Sequence, residues 1–215
     1  MFYTSLIVPT FNKLQPLETG SLREKIEAFA QKVSFPLTNI FVIDGSKRST
    51  KANAYFSGLG SKKTIVLFDT LSNEQSEDEL VSVLAHEVGH YKMKHIQKGM
   101  IIGVLQMGVL LFILSLFINK PALTQALGLQ TDVPVFHLGL IAFSLLYSPF
   151  SMITGIFMNI LSRKNEFEAD NYAKEHTGTG EHLITALRKL SANNLSNLNP
   201  NKWYVFFHYS HPPLL

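Results

Sequence analysis

The residues best suited to chemistry in this chain stand together in His86-Glu87-Val88-Gly89-His90. Two residues four apart on a helix share a face one turn apart, so both imidazoles can reach one ion. A carboxylate beside the first ligand can take a proton from a metal-bound water, which gives Glu87 the part of general base. Two histidines leave a catalytic zinc site one protein ligand short. The metzincin pattern would place Gly at 93 and a third His at 96, but the chain has Met93 and Ile96. His95 falls one residue off and reads as an interfacial or capping histidine. The missing donor is found in Asn165-Glu166-Phe167-Glu168-Ala169-Asp170, where Glu166 and Asp170 form another i, i+4 pair and Glu168 faces the opposite way. We assign Glu166 as third ligand of one Zn2+ ion and Asp170 as the acceptor that orients a ligand imidazole. The plainer reading of that cluster is a helix start whose acids suit its dipole. Near the end, His208-Tyr209-Ser210-His211-Pro212-Pro213 fixes His211 at a turn, because two prolines forbid helix continuation. A histidine held there can donate to the oxyanion of a tetrahedral intermediate; its plainer reading is an ordinary loop residue.

These residues need elements to carry them. Apolar positions 80, 81, 84, 85 and 88 mark one helical face, and Ser76 with Glu79 fits a capping box, so a helix should start there and run past His90 toward the next segment. A second helix is predicted from Ser21 to about Val33, with Ser21 and Glu24 as its capping box. Three β-like runs lie between: Asn39–Asp44, Asn53–Leu59 and Thr64–Asp69, the last two forming a hairpin. Asn165–Glu175 and Glu181–Leu190 read as helices broken at Gly178 and Gly180, and the Asn-rich stretch 193–200 reads as a loop.

The 215 residues amount to about one domain by length, and 46% of them are hydrophobic, including 16 Phe, which excludes a disordered chain. With no Cys there is no disulfide framework, no Cys-ligated metal and no thiol nucleophile. A net charge of +3 without a long basic run gives no basis for a nucleic-acid partner. Charge is distributed very unevenly. Residues 99–161 hold only Lys120 and Asp132, and within them run the uncharged stretches Gly99–Asn119 and Val133–Ser162. A bilayer core takes roughly 20 apolar residues as helix, so we expect two spans, about 99–119 and 137–161, the second tilted or kinked by its prolines. The organisation is then a cytosolic segment 1–98, a transmembrane hairpin 99–161 and a cytosolic segment 162–215. Lys92, Lys94 and Lys98 before the hairpin and Arg163 and Lys164 after it put both flanks on the cytoplasmic side. The start, MFYTSLIVPTF, has no basic region and does not read as a signal peptide; the tail of a span and a short surface segment both fit it.

The chain resembles the catalytic part of the type I CAAX prenyl proteases, which are integral-membrane zinc metalloendopeptidases. The segments that carry the resemblance are Phe35–Leu37, Asp44–Ser49, Asn53–Phe56, Ile65–Leu71, the HExxH, Arg163 with Glu166–Asp170, and His208–Leu215. The resemblance implies zinc ligands at His86, His90 and Glu166, a general base at Glu87, a supporting acid at Asp170 and an oxyanion-stabilising histidine at His211. It also implies that Asn53, Ala54 and Tyr55 belong to an edge strand that holds a peptide by backbone pairing, a strand-addition mode of recognition. The expected fold is α+β: a zincin-like core of small sheet, HExxH helix and acidic helix, with a two-span membrane hairpin. The expected partners are a lipid bilayer and a peptide or prenylated protein losing its C-terminal tripeptide. A membrane quality-control protease and a non-catalytic zinc-binding scaffold are the alternatives. Relatives carry further spans before the counterpart of residue 1, so the chain reads as a piece of a longer protein.

Overall fold

The computed structural model describes residues 13–47, 54–57 and 63–214. These fall into two compact units. The first combines the described part of Met1–Met93 with Lys164–Asn201 and Pro212–Leu215; the second comprises Lys94–Arg163 and Lys202–His211.

In the first unit a four-stranded mixed sheet is built from β1 (Leu14–Pro16), β2 (Leu37–Ile43), β3 (Ala54–Ser57) and β4 (Lys63–Phe68) in the order β1-β2-β4-β3. β2 and β4 run parallel at its centre, with Ile40 opposite Ile65 and Ile43 opposite Phe68. β3 pairs antiparallel to β4, as a hairpin requires, and lies at one edge. β1 forms the other edge and was not expected. Three residues ending in Pro16 carry almost no strand pattern, and proline is tolerated at an edge because it need not donate to a ladder.

Alternation along β2 and β4 turns Ile40, Ile65 and Leu67 toward helices α1 (Ser21–Lys32) and α3 (Glu77–Lys92), where they meet Ile26, Leu80 and Leu84. Leu71 of the short helix α2 (Asp69–Glu74) joins them. Each such side chain contributes about 1.5–3 kcal/mol by leaving water. A second cluster packs Phe29, Val33 and Phe35 against Ala85 and Val88 of α3, Ala173, and Leu183 of α7 (Glu181–Asn193).

The α3 capping box forms as expected: the Ser76 N–H donates to the Glu79 carboxylate at 2.7 Å and the Glu79 N–H donates to the Ser76 hydroxyl oxygen at 3.3 Å. The box expected at α1 does not. Gly20 is the N-cap there, and the Ser21 hydroxyl instead donates to the Glu77 carboxylate on α3. α3 runs past His90 as expected and ends at Lys92, and Lys94 adopts a left-handed backbone, φ 59°, before α4 (His95–Phe117) begins.

The second unit contains α4, α5 (Pro121–Gln125), the first part of α6 (Phe136–Thr177) and α8 (Lys202–His208). His95 opens α4 and is buried. α6 is one helix of 42 residues, where the sequence suggested a span followed by a separate acidic helix. At 1.5 Å per residue it is about 63 Å long, roughly twice a bilayer's hydrocarbon core. It continues through Pro149, which cannot donate to the Leu145 carbonyl; the Ser148 hydroxyl donates to that carbonyl at 2.8 Å instead. A core helix of a soluble protein would be mostly buried. Here none of the apolar window of α4, and 11% of that of α6, is buried.

Candidate metal centre

The three residues assigned to the metal, and Asp170 assigned to orient one of them, lie in the first unit, two on α3 and two on the last turns of α6. The Nε2 atoms of His86 and His90 are 3.1 Å apart. The Glu166 carboxylate oxygens approach them at 3.4 Å and 3.6 Å respectively. One donor atom from each of the three residues lies within 4.8 Å of the others. A tetrahedral ion with ligand bonds of about 2.0–2.1 Å separates its ligands by about 3.3–3.4 Å, so these spacings fit the edges of one coordination tetrahedron. The side chains are 14%, 17% and 13% exposed, deep enough to limit water.

The other ring nitrogen of His86 determines how the first one is used. Nδ1 lies 2.8 Å from Asp170 Oδ1, so its N–H donates to the carboxylate, and Nε2, once it gives up its proton, turns its lone pair toward His90 and Glu166. Burial alone would push the His86 imidazole down. The Asp170 and Glu166 carboxylates beside it, helped by the charge of Glu87, outweigh that and raise its pKa to about 9. Two acids against two imidazoles therefore make a pocket that favours positive charge, which a divalent cation supplies in place of the proton.

The helix contact that brings these side chains together depends on residues the motif search passed over. A Cβ on Gly89 would lie 3.1 Å from Tyr172 Cβ, 3.2 Å from Ala169 Cα and 3.3 Å from the Ala169 carbonyl oxygen. Only a glycine lets α3 come so near the backbone of α6, and Ala169 and Ala173 answer with small, fully buried side chains. The available signal was a glycine inside a helix, which costs about 1 kcal/mol against Ala and so implies a packing reason.

The remaining predicted residues are distributed as follows. Glu87 is half-buried on α3 beside His86. Ala54 and Tyr55 belong to edge strand β3, against which α3 packs, and Asn53 lies outside the described residues. His211 belongs to the second unit, exposed, with its Nδ1 3.0 Å from the Ser210 hydroxyl. In that unit the Asn159 amide donates to the Phe207 carbonyl at 2.8 Å, and the Arg163 guanidinium donates to the carbonyls of Val205 and Tyr209. These two residues, one turn apart on α6, satisfy the carbonyl end of α8 just before His211, a role the sequence did not suggest.

A model of peptidase family M48 matches residues 16–215. The chain is 44% identical over 214 residues to a CAAX prenyl protease 1 homolog of Oryza sativa, covering 99% of this chain and 50% of that protein. It is 39% identical to CAAX prenyl protease 1 of Saccharomyces cerevisiae (97% and 49%) and 34% identical to the CAAX prenyl protease 1 homolog of Homo sapiens (99% and 52%). Among solved structures, the crystal structure of S. mikatae Ste24p superposes with a TM-score of 0.85 at 39% identity, over 99% of this chain and 52% of that one. The chain thus spans about half the length of the curated relatives it matches.

Proposed function

Because the chain belongs to peptidase family M48, we propose that it is the catalytic half of a zinc-dependent membrane endopeptidase that removes the C-terminal tripeptide of prenylated CAAX proteins. The observation that carries this reading is the convergence of His86, His90 and Glu166, with Asp170 fixing the His86 ring.

In this reading His86, His90 and Glu166 hold one Zn2+, whose chemistry when bound is to polarise the scissile carbonyl and acidify a water. The donor set of two imidazoles and one carboxylate suits zinc. Glu87 accepts the proton of the attacking water and passes it to the departing amine. Asp170 holds the imidazole of His86 in the tautomer that keeps Nε2 available. His211 donates to the oxygen that gains charge as the carbonyl becomes tetrahedral. Substrate pairs as an added strand with β3, through the backbone of Ala54 and Tyr55, with Asn53 as a polar contact; an open strand edge is suited to this. α4 and the apolar part of α6 span the bilayer, with both charged flanks on the cytoplasmic side.

The test is cleavage of a farnesylated C-terminal peptide by the purified protein, with zinc content measured on the same sample. Glu87→Gln should retain about one zinc per chain and lose turnover by at least the roughly 10²–10⁴-fold attributable to a general base. Undiminished cleavage by that variant removes Glu87 from the mechanism. Zinc without turnover in the wild-type protein favours a scaffold. Equal cleavage of unprenylated, damaged membrane proteins favours quality control.

A further inference from the structure

Helix α8 is seven residues long and exposes an unusual amount of aromatic surface. Trp203 is 72%, Tyr204 56% and Phe206 38% exposed. Trp203 and Phe206, three residues apart, share a face with their rings perpendicular and 6.3 Å between centroids. Clustered large aromatics left outside a core mark a contact surface.

What covers that surface is indicated by where α8 is fastened. Asn159 and Arg163 of α6 hold the carbonyls of Phe207, Val205 and Tyr209. Those two residues mark the end of the apolar run of α6, since Ile153, Phe157 and Ile160 are exposed just before it and the first charges, Arg163 and Lys164, follow Ser162. α8 is therefore tied at the level where apolar helix surface gives way to charge. Trp and Tyr concentrate at that level in membrane proteins, because an apolar ring with a polar N–H or O–H fits the boundary between acyl chains and headgroups. Lys202, exposed at the start of α8, is suited to headgroup phosphates.

We propose that α8 is an interfacial anchor whose Trp203, Tyr204 and Phe206 seat in the headgroup layer of the bilayer, held beside the second span by Asn159 and Arg163. This rests on the reading of α4 and α6 as membrane spans. Its effect is to fix the depth of the segment Tyr209–His211 relative to the lipid surface.

Trp203 is the only tryptophan of the chain, so its fluorescence reports on α8 alone. The full chain is reconstituted in phosphatidylcholine vesicles and floated on a density gradient. Trp203 emission is then compared with lipids brominated near the headgroup, lipids brominated deep in the acyl chains, and aqueous iodide. The anchor requires a blue-shifted emission that loses most of its intensity to shallow bromine, and less to deep bromine or iodide. A floating chain whose Trp203 is quenched by iodide as freely as tryptophan in water overturns the anchor. So does one shielded from both bromine and iodide, because protein then covers α8. Failure to float overturns the membrane reading itself, and the anchor with it.

Discussion

Asp170 is the residue on which the chemistry of His86 turns. Its carboxylate accepts the Nδ1 proton, and the alternative tautomer would present an N–H where the proposed cation would bind. We expect Asp170→Ala to fold and to bind zinc 10–100-fold more weakly, as measured by titration against a competing chelator. The same carboxylate gives the metal-free chain a pH signature. His86 has its pKa raised from 6.5 to about 9, so the stability it contributes is complete below 6.5 and is lost as pH rises through about 9. The metal-free protein should therefore melt at progressively lower temperature between those values, and Asp170→Ala should flatten that slope. Zinc affinity should rise over the same window, because the ion displaces a proton from His86. A metal-free Tm that rises between pH 6.5 and 9 in the wild type, or an Asp170→Ala slope equal to it, would contradict the assignment.

At the scale of elements, the site exists because two helices approach almost to backbone contact. Gly89→Ala gains about 1 kcal/mol of helix propensity but sets a methyl group 3.2 Å from a backbone Cα that cannot swing aside. The helices must separate by a few tenths of an ångström, which spreads the Nε2–carboxylate distances. We expect roughly tenfold weaker zinc binding with unchanged helix content, seen by chelator competition beside circular dichroism. Ser76→Ala should act differently, costing about 1 kcal/mol of stability through the lost cap with zinc affinity intact. The contrast shows what was legible beforehand. The HExxH helix could be read from its own residues, since cap, periodicity and ligand spacing are all local, and the Glu166–Asp170 pair follows the same rule. The close approach at Gly89 involves residues 80 positions away and leaves only a glycine in a helix as its trace. Ser21 looked like a cap because nothing local reveals that Glu77 claims its hydroxyl. The unbroken α6 was hidden because hydropathy reports the surroundings of a segment, whereas a helical backbone can pass unchanged from one environment to another.

For the whole molecule, the order of the chain would make a metal held by His86, His90 and Glu166 a long-range tie. His86 and His90 precede Lys94–Arg163, the part of the second unit that interrupts the first, and Glu166 follows it. Bringing together stretches that stand about 70 residues apart in the chain costs conformational entropy. The apolar cluster of α1, α3 and α7 with Ala173 already opposes that cost, so the first unit should fold without metal but more weakly. Zinc at a thousand times its Kd adds about 4 kcal/mol, all of it to the state in which the separated stretches are joined. Chelation should therefore speed amide hydrogen exchange in Glu77–Lys92 and in Lys164–Asn201 together, while α4, which provides no ligand, keeps its protection in detergent or lipid. Glu166→Gln should bring the zinc-loaded protein most of the way to that chelated pattern, because it loosens the one ligand that comes from the far side of the excursion. If chelation loosened α3 but left Lys164–Asn201 untouched, the ion would be held by the two histidines alone, and the tie across the chain would not exist.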